Sequence, residues 1–169
     1  MSERSPAPGG LDLVQALVNT VDLESGADSL DTAEGRARFG IAEGELAGAR
    51  ELRESLRVAL LAHAGHPPHR AVTPLEELLA AAPLVLTVAA SDGSAALAPA
   101  DPRPLLSRVA VSVAESLIAG TWMRLKACEA ADCHWAYYDR SPAGRGRWCS
   151  MQVCGARAKM RRYRGKAAS

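Results

Sequence analysis

All four cysteines of this 169-residue chain fall in its last quarter, as Cys128 and Cys133, then fifteen residues, then Cys149 and Cys154. Two close thiol pairs separated by a hairpin-sized gap suit a single tetrahedral Zn2+: each pair closes a tight loop, and the gap lets the loops meet at the metal. Four thiolates fill the coordination shell and leave no position for a reactive water, so the chemistry expected is structural. The filled site carries a formal charge of about −2, which nearby cations must offset. Disulfides would need an oxidising compartment. Residues 1–10 are polar, with two prolines and two glycines, and lack the apolar run of a signal peptide. No run of about 18 apolar residues could span a membrane. The expectation is therefore a cytoplasmic protein with one structural zinc. No GxSxG, Walker A, HExxH or dinucleotide fingerprint occurs, so no enzymatic activity is expected.

The segment around the cysteines reads as a ββα unit of treble-clef type. Residues 126–133 form a knuckle, and 134–138, rich in aromatics, a first strand. Residues 139–146 carry turn chemistry, 147–149 return as a second strand, and Ser150 is placed to cap a helix over 151–164. That helix and its hairpin concentrate cations: Arg145, Arg147, Arg157, Lys159, Arg161, Arg162 and Arg164. Arg157, Arg161 and Arg164 share a helical face. The net charge of +1 hides a polarity. Residues 1–119 hold nine Lys/Arg against sixteen Asp/Glu, whereas residues 120–169 hold eleven against three. A basic end of this kind fits a polyanion, with DNA the first expectation. RNA, reached through stacking on Tyr137, Tyr138 or Tyr163, and a protein partner remain alternatives, as does docking on the acidic body.

The rest of the chain reads as a mostly α body with a small β-hairpin, an α+β arrangement over 11–120 that follows a flexible lead over 1–10. Apolar residues recur at helical spacing in 11–23. A short helix capped by Asp31 or Thr32 carries Arg36 and Phe39, the only phenylalanine and a candidate core anchor. Residues 43–64 form the longest helix, with Leu46, Ala49, Leu52, Leu56, Ala59 and Leu60 on one side and Arg50, Arg53, Glu54 and Arg57 on another. His63, His66 and His69 fall in a proline-broken stretch read as a solvated loop. Thr73, Pro74 and Glu76 mark a helix start. Strands follow at 84–88 and 95–98 about an Asp92-Gly93 turn, then a helix at 105–119 with Leu105, Leu106, Val109, Val113 and Leu117 inward. Trp122 and Leu125 are expected to pack the zinc unit, 121–169, onto the body.

Trp148-Cys149-Ser150-Met151-Gln152-Val153-Cys154-Gly155-Ala156-Arg157-Ala158-Lys159 resembles the signature of the CGNR-type zinc finger, and the stretch from Cys128 to Asp139 fits the same family. One position departs: Ala156 stands where the motif has Asn. Asn19-Thr20 and Asp22 resemble an element of the ABATE-type domain, a domain of stress-induced transcription regulators that precedes such fingers. The resemblance implies a bacterial transcription regulator with a nucleic-acid-binding end. Asn19 and Asp22 then become candidates for lining a ligand pocket, or for a polar face that caps a neighbouring helix. The sequence names no operator or effector. A homodimer would suit so small a DNA-binding module.

Overall fold

The computed structural model describes residues 5–167, with side chains over 5–165. Helix α1 (Leu11–Val18) buries Leu11, Val14, Leu17 and Val18 completely, as its 3.6-residue spacing requires. Thr32 caps the short α2 (Ala33–Ala37), accepting from the Gly35 N–H. The long helix α3 (Leu46–His63) follows a 3-10 turn over Glu43–Glu45. Then come α4 (Leu75–Ala80), a hairpin of β1 (Leu84–Val88) and β2 (Ala95–Pro99), and α5 (Leu105–Ile118). In the C-terminal part β3 (Leu125–Ala127) pairs antiparallel with β4 (Ala136–Tyr138). A π-helical turn, Met151–Gly155, leads into α6 (Ala156–Ala167). The architecture is mostly helical with two small antiparallel strand pairs, as the sequence implied.

Helices α1, α3 and α5 close around one apolar core, and the zinc unit shares it: Leu125, Ala127 and Ala136 are completely buried within it. Trp122 stands edge-on to His63, and His63 Nδ1 lies 2.7 Å from the Leu125 carbonyl. The expected docking of the zinc unit through Trp122 and Leu125 is seen.

Several expectations change. Residues 1–4 of the flexible lead lie outside the described residues. The remainder is anchored, because Ala7 is buried and its N–H donates to Gln15 Oε1. Helix α1 stops at Val18, because Val21 forms a bridge with Asp28. Thr73 does not cap α4; its hydroxyl donates to Glu51, and Pro74 takes the cap position without a side-chain bond. Leu117 is exposed. In the zinc unit, β4 finds its partner on its N-terminal side. Residues 147–149 contribute only a Glu129 N–H to Arg147 O bond, so no second strand forms there. Helical structure starts at Met151 as expected, but its first turn is π and Ser150 provides no side-chain cap.

Three of the four charged residues on the second side of α3, Arg53, Glu54 and Arg57, are buried, and Arg50 is partly exposed. Arg57 is completely inaccessible. Its guanidinium donates to Glu54 Oε2 at 3.1 Å, to Val18 O of α1 at 2.8 Å and to His134 O of the zinc unit at 2.9 Å. Arg53 reaches Thr20 Oγ1, Asp28 Oδ2 and Glu54 Oε1. His69 Nε2 lies 3.1 Å from Glu54 Oε2, so this histidine belongs to the network and not to a solvated loop. Burial pushes Glu54 upward, but Arg57 and Arg53 overcome it and hold the carboxyl below its ordinary range.

Arg57→Ala should therefore lower the unfolding free energy by about 3–5 kcal/mol, since Glu54 is left buried with one partner fewer. Urea unfolding of the two proteins checks this. A loss under ~1 kcal/mol would mean that the network is accessible to water.

Candidate metal centre

The knuckle is built by local backbone bonds. Cys133 N–H and His134 N–H both donate to Ala130 O, and Cys128 N–H donates to Trp135 O. His134 takes a left-handed conformation, φ 45°, uncommon for a residue with a Cβ. Its Nδ1 lies 3.0 Å from Cys128 O, and its carbonyl receives Arg57. The second pair of thiols is set by the π turn, whose Gly155 N–H donates to Ser150 O. A Cβ on Gly155 would lie 3.1 Å from Met151 Sδ and 3.3 Å from Trp148 Cδ1, which favours glycine there.

The four sulfurs converge, all within 4.8 Å of one another. Cys133 Sγ–Cys149 Sγ is 3.6 Å and Cys149 Sγ–Cys154 Sγ is 3.7 Å. A tetrahedron with Zn–S of ≈ 2.3 Å has an edge of about 3.8 Å, so these distances fit one zinc. They are far too long for an S–S bond, and all four cysteines are free thiols. Packed together without a cation, the thiols share their protons unevenly. Hydrogen bonds from Cys133 and Cys149 hold Cys128 far down, and the same bonds push Cys133 and Cys149 up. Burial pushes Cys154 up. A divalent ion removes this competition by stabilising four thiolates at once. Ala130, Trp135 and Trp148 shield the cluster. Two guanidiniums sense its charge: Arg57 beside Cys133 and Arg157 beside Cys154. Cys128, Cys133, Cys149 and Cys154 form a single structural zinc site.

A second polar knot braces the 139–146 turn. Asp139 is buried and accepts from Lys126 Nζ at 2.9 Å, Ser141 N–H and Gly146 N–H. Burial alone would raise its pKa, but these donors hold it well below the usual carboxylate range. Tyr137 donates to Gly146 O at 2.7 Å. Tyr137 therefore supports the turn, and its ring is largely buried.

The expected site residues separate into groups. Asn19 clamps the body to the zinc unit: Nδ2 donates to Ala136 O at 3.0 Å, and Oδ1 accepts from Ala136 N–H at 2.7 Å. Asp22 caps its own loop through the Glu24 and Ser25 N–H groups. Neither lines a described cavity. Among the cations, Arg147 is engaged by Glu129, and Arg157 meets Glu24 of the body at 3.0 Å and Asp132 at 3.8 Å. Arg145, Lys159, Arg161, Arg162 and Arg164 are exposed and make no ion pair among the described residues. A groove of about 1190 Å³ runs between α6 and the knuckle, floored by Trp148 and edged by Lys159, Arg162 and Tyr163. Ala156, the departure from the motif, is exposed at the start of α6. Sequence reasoning missed Arg57 and Asn19 as joints, because a lone polar residue gives no sign of a partner over a hundred positions or tens of positions away.

Metal analysis should find one zinc per chain, and none bound stably by Cys154→Ala. Retention of a full equivalent by that variant would refute the four-thiolate site. Acidification gives a separate check on Asp139. Its depressed pKa contributes stability that is fully present above the unfolded value of about 3.9 and is lost as pH falls towards the folded one. Below about pH 4 the wild type should therefore lose more unfolding free energy than Asp139→Asn; parallel losses would show that the knot does not titrate.

Among the described residues no helix is long and apolar enough to cross a membrane. A search of curated proteins returns no match. Residues 124–167 match the family model described as CGNR zinc finger. Residues 11–120, more than half of the chain, match the model ABATE, described as "Putative stress-induced transcription regulator". The chain belongs to the ABATE family and carries a CGNR zinc finger at its C-terminal end.

Proposed function

We propose that this protein is a DNA-binding transcription regulator that acts by binding and not by catalysis, in the cytoplasm of a bacterium. The observation that carries the reading is the state of α6. It follows directly on the zinc site, it packs mainly on its own π turn, and nearly every described side chain on it is exposed. Lys159, Arg161, Arg162 and Arg164 project from it without carboxylate partners among the described residues. A helix this polar gains little from packing, and one of 12 residues is marginal alone in water. Its diameter of ≈ 10–12 Å suits a B-DNA major groove of ≈ 12 Å. In this reading the zinc sets the direction of α6, phosphates neutralise its cations, and an arginine reads a guanine edge. Arg145 approaches the backbone from the turn. The ABATE body senses a stress signal, a role supported by the family description alone.

Exposed Met160 and Tyr163 on α6 favour RNA or a protein as the second reading. Binding that persists at high salt would identify a protein partner.

Fluorescence anisotropy with duplex DNA across a salt series tests the proposal. Log K should fall linearly with log salt, and Arg161→Ala with Arg164→Ala should reduce the slope by about 2 at unchanged zinc content. Equal slopes for the two proteins would move the contact surface away from α6, and no binding near 50 mM salt would overturn the reading.

A further inference from the structure

We propose that the outer edge of β1 is a homodimer interface, in which two copies pair β1 to β1 antiparallel about a two-fold axis to form a four-stranded sheet. The hairpin is left incomplete by its own chain. It is a two-stranded sheet, and four of the five residues of β1 are exposed. Val85 is 47%, Leu86 65% and Val88 62% accessible, three large apolar side chains left exposed within one five-residue strand. Two strands alone are marginal in water, whereas a wider sheet with an apolar face is stable.

The backbone alternation shows what the edge presents. Ala100 N–H donates to Pro83 O and Ala89 N–H to Ser94 O, so residues of odd number on β1 turn their peptide groups towards β2. The N–H and C=O groups of Leu84, Leu86 and Val88 therefore face the open edge. A two-fold centred on Leu86 sets Leu86 against its own copy and Leu84 against Val88, which gives about six inter-strand hydrogen bonds. The side chains of Leu84, Leu86 and Val88 lie on one face. Six apolar side chains from the two copies would then form a continuous row.

Charge identifies the occupant as a second copy. In a two-fold pairing the residue on the axis meets its own copy and its neighbours lie close to theirs, so a charge near the axis repels itself. Charged residues make up 23% of the chain, yet none occurs from Leu78 to Ser91, where about three would be expected. Proteins that keep an edge strand single usually protect it with lysine, proline or a bulge. Here Pro83 precedes the strand, and its five residues carry no such guard.

Light scattering on the eluting zinc-loaded full chain tests the proposal. The expected result is a particle of twice 17.8 kDa that falls to a single chain in Leu86→Lys. Leu86 is exposed, so the substitution should leave the far-ultraviolet spectrum and zinc content unchanged. Amide exchange supplies an independent readout: Leu86 and Val88 N–H should be protected at high concentration and lose protection at least tenfold on dilution below the dimer's dissociation constant. A single chain at hundreds of micromolar would overturn the proposal, and so would a dimer that survives Leu86→Lys.

Discussion

The buried guanidinium of Arg57 is the joint on which the rest of this structure depends. It lies in the middle of the longest helix and donates to the C-terminal end of α1 and to the residue after the second zinc ligand. A cation removed wholly from water is tolerated only when its charge and its donors are satisfied together. Glu54 supplies the charge and accepts from Nε, and each of the two carbonyls accepts from one terminal nitrogen, so all three guanidinium nitrogens are engaged. Both carbonyls must therefore be held in place: one by the end of α1, the other by the left-handed turn at His134. The body and the zinc unit are specified as one packed object.

Asn19 repeats the constraint nearby. Its amide makes both bonds that a neighbouring strand would make to Ala136, so the body takes the place of a third strand beside β4. The zinc closes the other side of the unit. Its four thiolates draw together the knuckle and the π turn, segments whose apolar core is otherwise two tryptophans and an alanine. The cation that fastens the zinc unit to the body is bonded to the residue next to Cys133, and its charge favours the thiolate there. The pairing of Arg157 with Glu24 adds a surface contact across the same seam, of small energetic weight because both groups are partly solvated.

The sequence made the zinc ligands legible because cysteine spacing is a local signal and metal geometry admits few alternatives. Helix positions in the body were legible for a similar reason: α1, α3 and α5 bury residues at helical spacing. The hairpin was readable from its apolar runs and Asp92-Gly93. What escaped was non-local. Arg53, Glu54 and Arg57 read only as a second, charged side of α3, since nothing within the helix shows that Asp28, Thr20, Val18 and His134 surround them. The partner of β4 was misplaced because the turn chemistry of 139–146 suggests a return strand at 147–149, whereas Leu125 and Ala127, on either side of Lys126, continue the core of the body. Thr73 satisfies every local rule for a cap and still turns to Glu51, a choice made by the packing of α4 on α3. Asn19 and Asp22 stand close together in sequence but serve different ends, one across the seam and one within its own loop.

Fusion of the two parts into one cooperative unit is the central claim, and calorimetry of the zinc-loaded chain tests it most directly. A single transition is predicted, with calorimetric and van't Hoff enthalpies equal per cooperative unit, and a chelator should shift the whole of it to lower temperature. Two transitions, of which the chelator moves only one, would contradict the account and make the zinc unit an independent appendage of the body.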